Sequence, residues 1–184
     1  MTVAVLLLAA GGGSRFLGDS HKLLAPIEGR PLHAHALDTA VVSGVGPVLV
    51  VTGAVALELP AGVVEVANPS WEGGIATSLQ AGVDAARRAG HDAVVVGLAD
   101  QPGVLVEAWR LVAGAAGAPI AVATYAGRRG NPVRLAAEVW DQLPRTGDEG
   151  ARSLMHRCPE LVVEVPCPGS PDDVDTVEDL RRWS

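Results

Sequence analysis

Seven apolar residues in a row, Val3–Ala9, lead through Ala10 into three consecutive glycines, Gly11–Gly13. A short continuous apolar run has no polar face to turn toward water, so it fits a strand covered on both sides. Glycines directly behind it place bare backbone N–H groups at the strand's carboxyl end, where open α/β sheets hold their ligands. Helices must then cover both faces of the sheet.

The rest of the chain supplies them. Further apolar runs at Pro47–Thr52, Val63–Val66, Asp92–Leu98, Pro119–Thr124 and Leu161–Val165 read as strands. Helical stretches lie between: Pro31–Ser43, Ile75–Ala89, Val104–Gly114, Ala136–Leu143 and Glu149–Arg157. Ile75, Leu79, Val83 and Ala86 recur at a helical period, and Gly44 and Gly90 stand where helices end. Thr176-Val177-Glu178-Asp179 resembles a capping box and opens a last helix. Strand–helix alternation predicts an α/β fold with a mostly parallel sheet in a single domain, residues 1–184.

Composition narrows the partners. Aromatics are only 3% of a chain that is 48% apolar, so Val, Leu and Ala must build the core. A net charge of −7 argues against nucleic acid, whose phosphates want a basic face. The N-terminus lacks the basic start of a signal peptide, and no run reaches the ~20 apolar residues of a membrane span. Cys158 and Cys167 are too far apart for a CxxC site and read as ordinary small side chains. The expectation is a cytoplasmic protein with no membrane partner.

Among fourteen lysines and arginines only Lys22 is a lysine, and it follows the glycines together with Arg15. The Walker A pattern fails, because Asp19 stands after Gly18 where lysine should be. The dinucleotide pattern GxGxxG fails at Phe16. What remains is a loop of about twenty residues, and ordered loops of that length usually serve a function. Gly97-Leu98-Ala99-Asp100-Gln101-Pro102 ends a strand with an aspartate, a hard oxygen ligand suited to Mg²⁺ or else a turn aspartate. Asp175, just before the capping Thr176, could complete such a site or simply complement the helix dipole. Asp173 lies two residues earlier, and in an extended segment both point the same way.

Other segments leave choices open. Asn68–Leu79 is a loop entering a helix, with Gly73 and Gly74 allowing close approach. Thr77 and Ser78 can cap that helix or touch a base or ribose, and Trp71 can be core, lid or stacking surface. Gly127–Pro132 reads as a turn whose Arg128 and Arg129 either meet an anionic acceptor or are solvated at a hairpin tip. Asp148 is a candidate N-cap, and Arg152 could reach an acceptor phosphate. The five histidines are scattered, and no Ser-His-Asp order is present.

Leu-Ala-Ala-Gly at 8–11, then Ser14, Arg15, Gly18 and Lys22-Leu23-Leu24, resemble the signature of nucleotidyltransferases. With Asn68–Leu79, Leu98–Pro102, Gly130–Pro132, Gly147–Arg152 and Asp175–Leu180, the chain is similar to the MobA-like NTP transferases, most of all to molybdenum cofactor cytidylyltransferases. The resemblance implies a Rossmann-like, GT-A-like three-layer sandwich. It implies Mg²⁺-dependent transfer of CMP from CTP to a phosphorylated pterin with release of pyrophosphate, and a molybdoenzyme as recipient of the product. It assigns Ala10, Gly11, Gly12, Ser14, Arg15, Lys22, Asn68, Gly73 and Ser78 to the nucleotide. Arg15, Lys22 and Asp100 become catalytic, Asp100 and Asp175 hold the metal, and Asn131 and Arg152 meet the acceptor. Ala10 favours CTP, since the guanylyl branch more often reads Leu-Ala-Gly-Gly. Asn131 stands where the family commonly has His, and Phe16-Leu17 lengthens the loop by one residue. A guanylyltransferase, a sugar-phosphate nucleotidyltransferase and a non-catalytic nucleotide-binding or cofactor-delivery module are the alternatives.

Overall fold

In the computed structural model, which describes residues 1–18 and 20–183, β1 (Val3–Ala9) occupies the interior of a sheet, as its unbroken apolar run requires. Asp19, which breaks the Walker A spacing, lies outside the described residues. β2 (Pro26–Ile27) and β3 (Arg30–Pro31) form a separate small hairpin inside the long loop. The main sheet adds β4 (Val48–Thr52), β5 (Val64–Ala67), β6 (Ala93–Leu98), β7 (Ile120–Tyr125), β8 (Arg128–Ala136) and β9 (Val162–Pro166). Their spatial order is β5-β4-β1-β6-β8-β7-β9, and of these strands only β8 runs against the rest.

β1 sits between β4 and β6, so the strand order reverses across it. Crevices at such reversals lie beyond the strands' carboxyl ends. Leu8 of β1 pairs with Leu98 of β6, and the Ala99 N–H donates to the Leu8 carbonyl at 3.0 Å. That register brings Ala10-Gly11 beside Asp100.

Helices cover both faces. α1 (Leu32–Val42) and α3 (Val106–Gly114) pack Leu32, Leu37, Trp109 and Val112 against Val5, Leu7 and Ala9. α2 (Ile75–Arg88) and α4 (Arg152–Arg157) pack Leu79, Val83 and Leu154 against Leu6 and Leu8 on the other face. Burying each Leu or Val contributes about 1.5–3 kcal/mol, which is why β1 tolerates no polar residue on either face. α5 (Val177–Arg181) opens with the expected capping box: Thr176 accepts from the Asp179 N–H, and the Asp179 carboxylate accepts from Thr176. The result is a three-layer, Rossmann-like α/β sandwich with a mostly parallel sheet.

Three local expectations fail. β8 begins at Arg128, inside the segment expected to be a turn. Gly130, Asn131 and Pro132 carry loop signals because the β7–β8 register shifts there: Val122 pairs with Val133 but Ala123 with Gly130, so Asn131 and Pro132 bulge out of the ladder. A bulge needs no N–H from Pro132. Ala137–Gln142 is a 3₁₀ turn and not an α-helix. α4 starts at Arg152 because Gly150 adopts a left-handed φ of 52°; Ala151 occupies the cap position, so Asp148 is not its N-cap.

Gly97 in β6 marks a close approach: a Cβ there would strike the Trp109 indole, itself 1% exposed. A rigid buried ring cannot step aside. Gly97→Ala should therefore destabilise by about 1–3 kcal/mol despite the gain in backbone propensity, and chemical denaturation would show it.

Candidate active site

The loop leaving β1 begins at Ala10. Ala10 is buried, and its carbonyl accepts from Ala54 at 3.0 Å, which anchors the loop to the end of β4. Among the described residues no protein acceptor takes the N–H of Gly11, Gly12 or Gly13. Gly13 turns the chain with a φ of 62°, a region where side chains strain. A Cβ on Gly12 would lie 2.8 Å from the Trp71 ring, so Trp71 is a half-buried wall against the glycines. Successive free N–H groups around a turn are an anion cradle. They line a cleft of about 460 Å³ together with Ser14, Arg15, Lys22, Ser78, Asp100 and Asp175.

Opposite the glycines stands a charge cluster. Lys22 Nζ donates to Asp100 Oδ2 at 2.6 Å and to Asp175 Oδ1 at 3.1 Å. Arg15 reaches Asp175 Oδ2 at 2.9 Å from a largely exposed position. Three features place these groups. A 3₁₀ turn at Lys22–Leu24 presents the lysine, β6 delivers Asp100, and the Val174 N–H donates to the Asp100 carbonyl at 2.9 Å, pinning the Asp175 segment. Val174 is itself fully buried. Burial pulls the Lys22 pKa down, but the charge and hydrogen bond of Asp100, and those of Asp175, outweigh it and the pKa is raised. Asp173 is exposed as a residue, yet its carboxyl is crowded; that desolvation first, then the charge of Asp100, raise its pKa. The two carboxylates at Lys22 converge on one point and offer hard oxygen donors.

Asn68 and Gly73 stand apart from this cleft wall. Asn68 is buried, and its amide is spent inside the loop: Nδ2 donates to Thr77 Oγ1 at 2.9 Å and Ser78 Oγ at 3.0 Å, while Oδ1 accepts from Ser70. It braces Ser78 from behind and has no direct contact to offer. Gly74, with a φ of 93°, lines the cleft where Gly73 does not. Neither hydroxyl caps α2. The Gly147 carbonyl takes the Ala76 N–H at 3.0 Å, and this docks the 147–148 segment onto the helix start.

The cleft continues into a second cavity of about 200 Å³ that shares Leu8, Ile75, Leu98 and Asp148 with the first. Asn131 and Arg152 both line it, with Arg129 and His156. Arg129 also pairs with Glu164 at 2.8 Å, whereas Arg128 is largely exposed and 4.0 Å from Asp172. Gln101, which sequence reasoning passed over, sets the polarity here. Its Nε2 donates to the Pro171 carbonyl at 2.9 Å and to Asp173 Oδ1 at 2.7 Å, both groups that only accept. Its Oε1 must then accept, and does so from Asn131 Nδ2 at 3.1 Å. That leaves the Asn131 side-chain oxygen, which takes no protein donor among the described residues, as the acceptor this cavity-lining amide has to offer. Tyr125 steadies the same bulge by donating to the Asn131 carbonyl at 2.7 Å, and burial pushes its phenol pKa up. The one sequence signal for Gln101 was its place directly after Asp100.

A family model described as the MobA-like NTP transferase domain matches residues 5–162. The chain belongs to this family. It is 36% identical to the nicotine blue oxidoreductase of Paenarthrobacter nicotinovorans, over 98% of this chain and 95% of that protein. A nucleotidyl transferase from Methanothermobacter thermautotroptrophicus shares the fold with a TM-score of 0.83 at 24% identity, covering 98% of this chain and 95% of that one. Rv0371c of Mycobacterium tuberculosis, solved in complex with manganese, gives a TM-score of 0.78 at 27% identity over 100% and 98% of the two chains. Members of the MobA-like family are nucleotidyltransferases by description, and the cleft built here has the anion cradle and cations that a triphosphate needs.

The lysine's ion pairs carry a pH signature. A raised pKa means the folded protein holds the ammonium proton more tightly than the unfolded chain. Its stabilisation is therefore complete below the ordinary value of 10.5 and is lost as pH rises through the raised one. Lys22→Met should cost about 1–2 kcal/mol at pH 7, and the deficit should close only in strong alkali. Denaturant melts of both proteins across pH would show this, and a deficit independent of pH would contradict it.

Proposed function

We propose that this chain, as one domain over residues 1–184, transfers CMP from CTP to a phosphorylated pterin, releases pyrophosphate, and hands its product to a molybdoenzyme in the cytoplasm. The observation that carries the reading is the convergence of free glycine amides, Lys22, Arg15 and the Asp100–Asp175 pair on one cleft that opens into the Asn131–Arg152 cavity. Family membership supplies the reaction class, and the Leu-Ala-Ala-Gly start supplies the preference for CTP.

The donor set fits a divalent cation. Two carboxylate oxygens lie within 3.1 Å of one ammonium, and Mg²⁺ is commonly held by one or two carboxylates with phosphates and water filling the rest. The manganese in a relative's structure accords with that fit. Asp100 and Asp175 would hold the ion, which would neutralise charge on the triphosphate oxygens.

The residues divide the remaining work. Gly11–Gly13 amides and Ser14 bind the phosphates, and Ser78, held by Asn68, faces the nucleoside. An oxygen of the acceptor phosphate attacks the α-phosphorus in line, and the bond to the β-phosphate bridging oxygen breaks. Pyrophosphate leaves with that electron pair, and Lys22 and Arg15 neutralise it. The attacking oxygen is already anionic, so no protein group needs to remove a proton. Arg152 pairs with the acceptor phosphate, and the Asn131 oxygen accepts from an N–H of the pterin ring.

A second reading comes from the relative named as an oxidoreductase. A reductase of a planar heterocycle could use the same cradle for a nicotinamide dinucleotide's pyrophosphate. It gives no task to two aspartates gathered at Lys22, so transfer is the better account.

Incubation with Mg²⁺, molybdopterin and each nucleoside triphosphate in turn should release pyrophosphate fastest with CTP. Lys22→Ala and Asp100→Ala should each lower kcat by about 10²–10³. Near-normal release by both variants would refute the assignment, and NADPH consumption with nicotine blue in place of pyrophosphate release would establish the reductase. Ala10 lines the cleft at the position where the guanylyl branch more often has glycine. Ala10→Gly should raise kcat/KM for GTP relative to CTP by about tenfold.

A further inference from the structure

His21 takes no part in the transfer chemistry above, yet its ring joins the two ends of the segment that frames the cleft. Its Nδ1 accepts from the Leu23 N–H at 3.2 Å, and its Nε2 lies 3.0 Å from the Gly11 carbonyl oxygen. A carbonyl has no hydrogen to give and an N–H has no lone pair to offer. Nδ1 must therefore be bare and Nε2 must carry the proton. A neutral imidazole has one donor and one acceptor, and this tautomer satisfies both. Burial lowers the pKa of His21, the Gly11 bond opposes that, and the Lys22 charge adds to it; the net shift is downward, so the ring is neutral at pH 7.

The consequence lies one peptide away. The Gly11–Gly12 peptide is planar and trans, so its C=O and N–H point in opposite directions. Holding the carbonyl toward the 3₁₀ turn at Lys22–Leu24 turns the Gly12 N–H the other way, where among the described residues no protein acceptor takes it. Gly13 lies against the same side chains: a Cβ there would stand 3.1 Å from Lys22 Cγ and 3.5 Å from His21 Nε2. We infer that His21 is a positioning residue for nucleotide binding: as the Nε2–H tautomer it clasps the Gly11 carbonyl and aims the Gly12 N–H at a phosphate. This rests on the nucleotide reading of the cleft.

Two substitutions separate the clasp from ordinary capping of the 3₁₀ turn. Asn puts an acceptor where Nδ1 stands, keeping the Leu23 bond, but is too short to reach Gly11. Gln puts a donor where Nε2 stands and gives up Leu23. Titration calorimetry with Mg-CTP should find His21→Gln within about threefold of the parent and His21→Asn about tenfold weaker, the worth of one hydrogen bond. The same order should appear in KM for CTP, with kcat little changed. The reverse order, Asn tight and Gln weak, would overturn the inference and leave His21 a capping residue. Imidazole ¹⁵N shifts of the wild-type protein give a readout that needs no substrate: a bare Nδ1 and protonated Nε2 are expected, with slow exchange at the Leu23 amide. A protonated Nδ1 would overturn the clasp whether or not the protein turns CTP over. Failure of the wild-type protein to bind any nucleoside triphosphate, with the expected tautomer present, would instead remove the nucleotide reading and, with it, the role given to the clasp.

Discussion

Two carboxylates from distant parts of the chain meet at a single ammonium, and the architecture of the cleft depends on that meeting. Bringing Lys22, Asp100 and Asp175 together removes part of their hydration, a cost of several kcal/mol per ion when burial is deep. Short contacts at 2.6 and 3.1 Å and partial solvent access reduce it here. The geometry is held by rigid neighbours. Ala99 is hydrogen-bonded to Leu8, which fixes Asp100 to the edge of β1, and Val174 is buried and bonded to the Asp100 carbonyl, which fixes Asp175. Had the β1–β6 register slipped by one residue, Asp100 would face the other side of the sheet and the lysine would lose its partner.

The second cavity depends on an irregularity. Where β8 bulges, Asn131 leaves the ladder and joins a chain of amides that ends at Asp173, beside the charge cluster. A regular strand would have paired Asn131 with β7 and taken from Gln101 Oε1 the donor it has here. The bulge thus connects the two halves of the cleft through groups that each have one permitted donor or acceptor role. Chemistry, more than shape, sets the polarity presented to a ligand there.

Much of this was legible in the chain itself. The Val3–Ala9 run announced a doubly covered strand, the glycines behind it announced an open backbone, and Ile75–Ala86 announced an amphipathic helix, because each signal is local and periodic. Lys22, Arg15, Asp100 and Asp175 could be singled out because a lone lysine, an arginine behind glycines and aspartates in the matching segments occur together in the family's order. The same signals misled at β8, where Gly130 and Pro132 mimic a turn, and the family resemblance assigned Asn68 to the nucleotide although its amide is consumed by Ser70, Thr77 and Ser78.

The sequence by itself determined the alternation of buried strands and covering helices, the glycine-rich exit from β1 and the short list of charged groups available to a site. Hydrophobic periodicity and residue chemistry are properties of neighbours along the chain. Only the tertiary structure decided that Asp100 and Asp175 share one lysine, that Gln101 fixes the polarity of Asn131 and that His21 ties Gly11 to Leu23. Apart from the local bond of His21 to Leu23, each of these is a hydrogen bond across a gap in sequence. Its direction follows from which donors and acceptors the packed sheet leaves facing one another, and no local pattern encodes that.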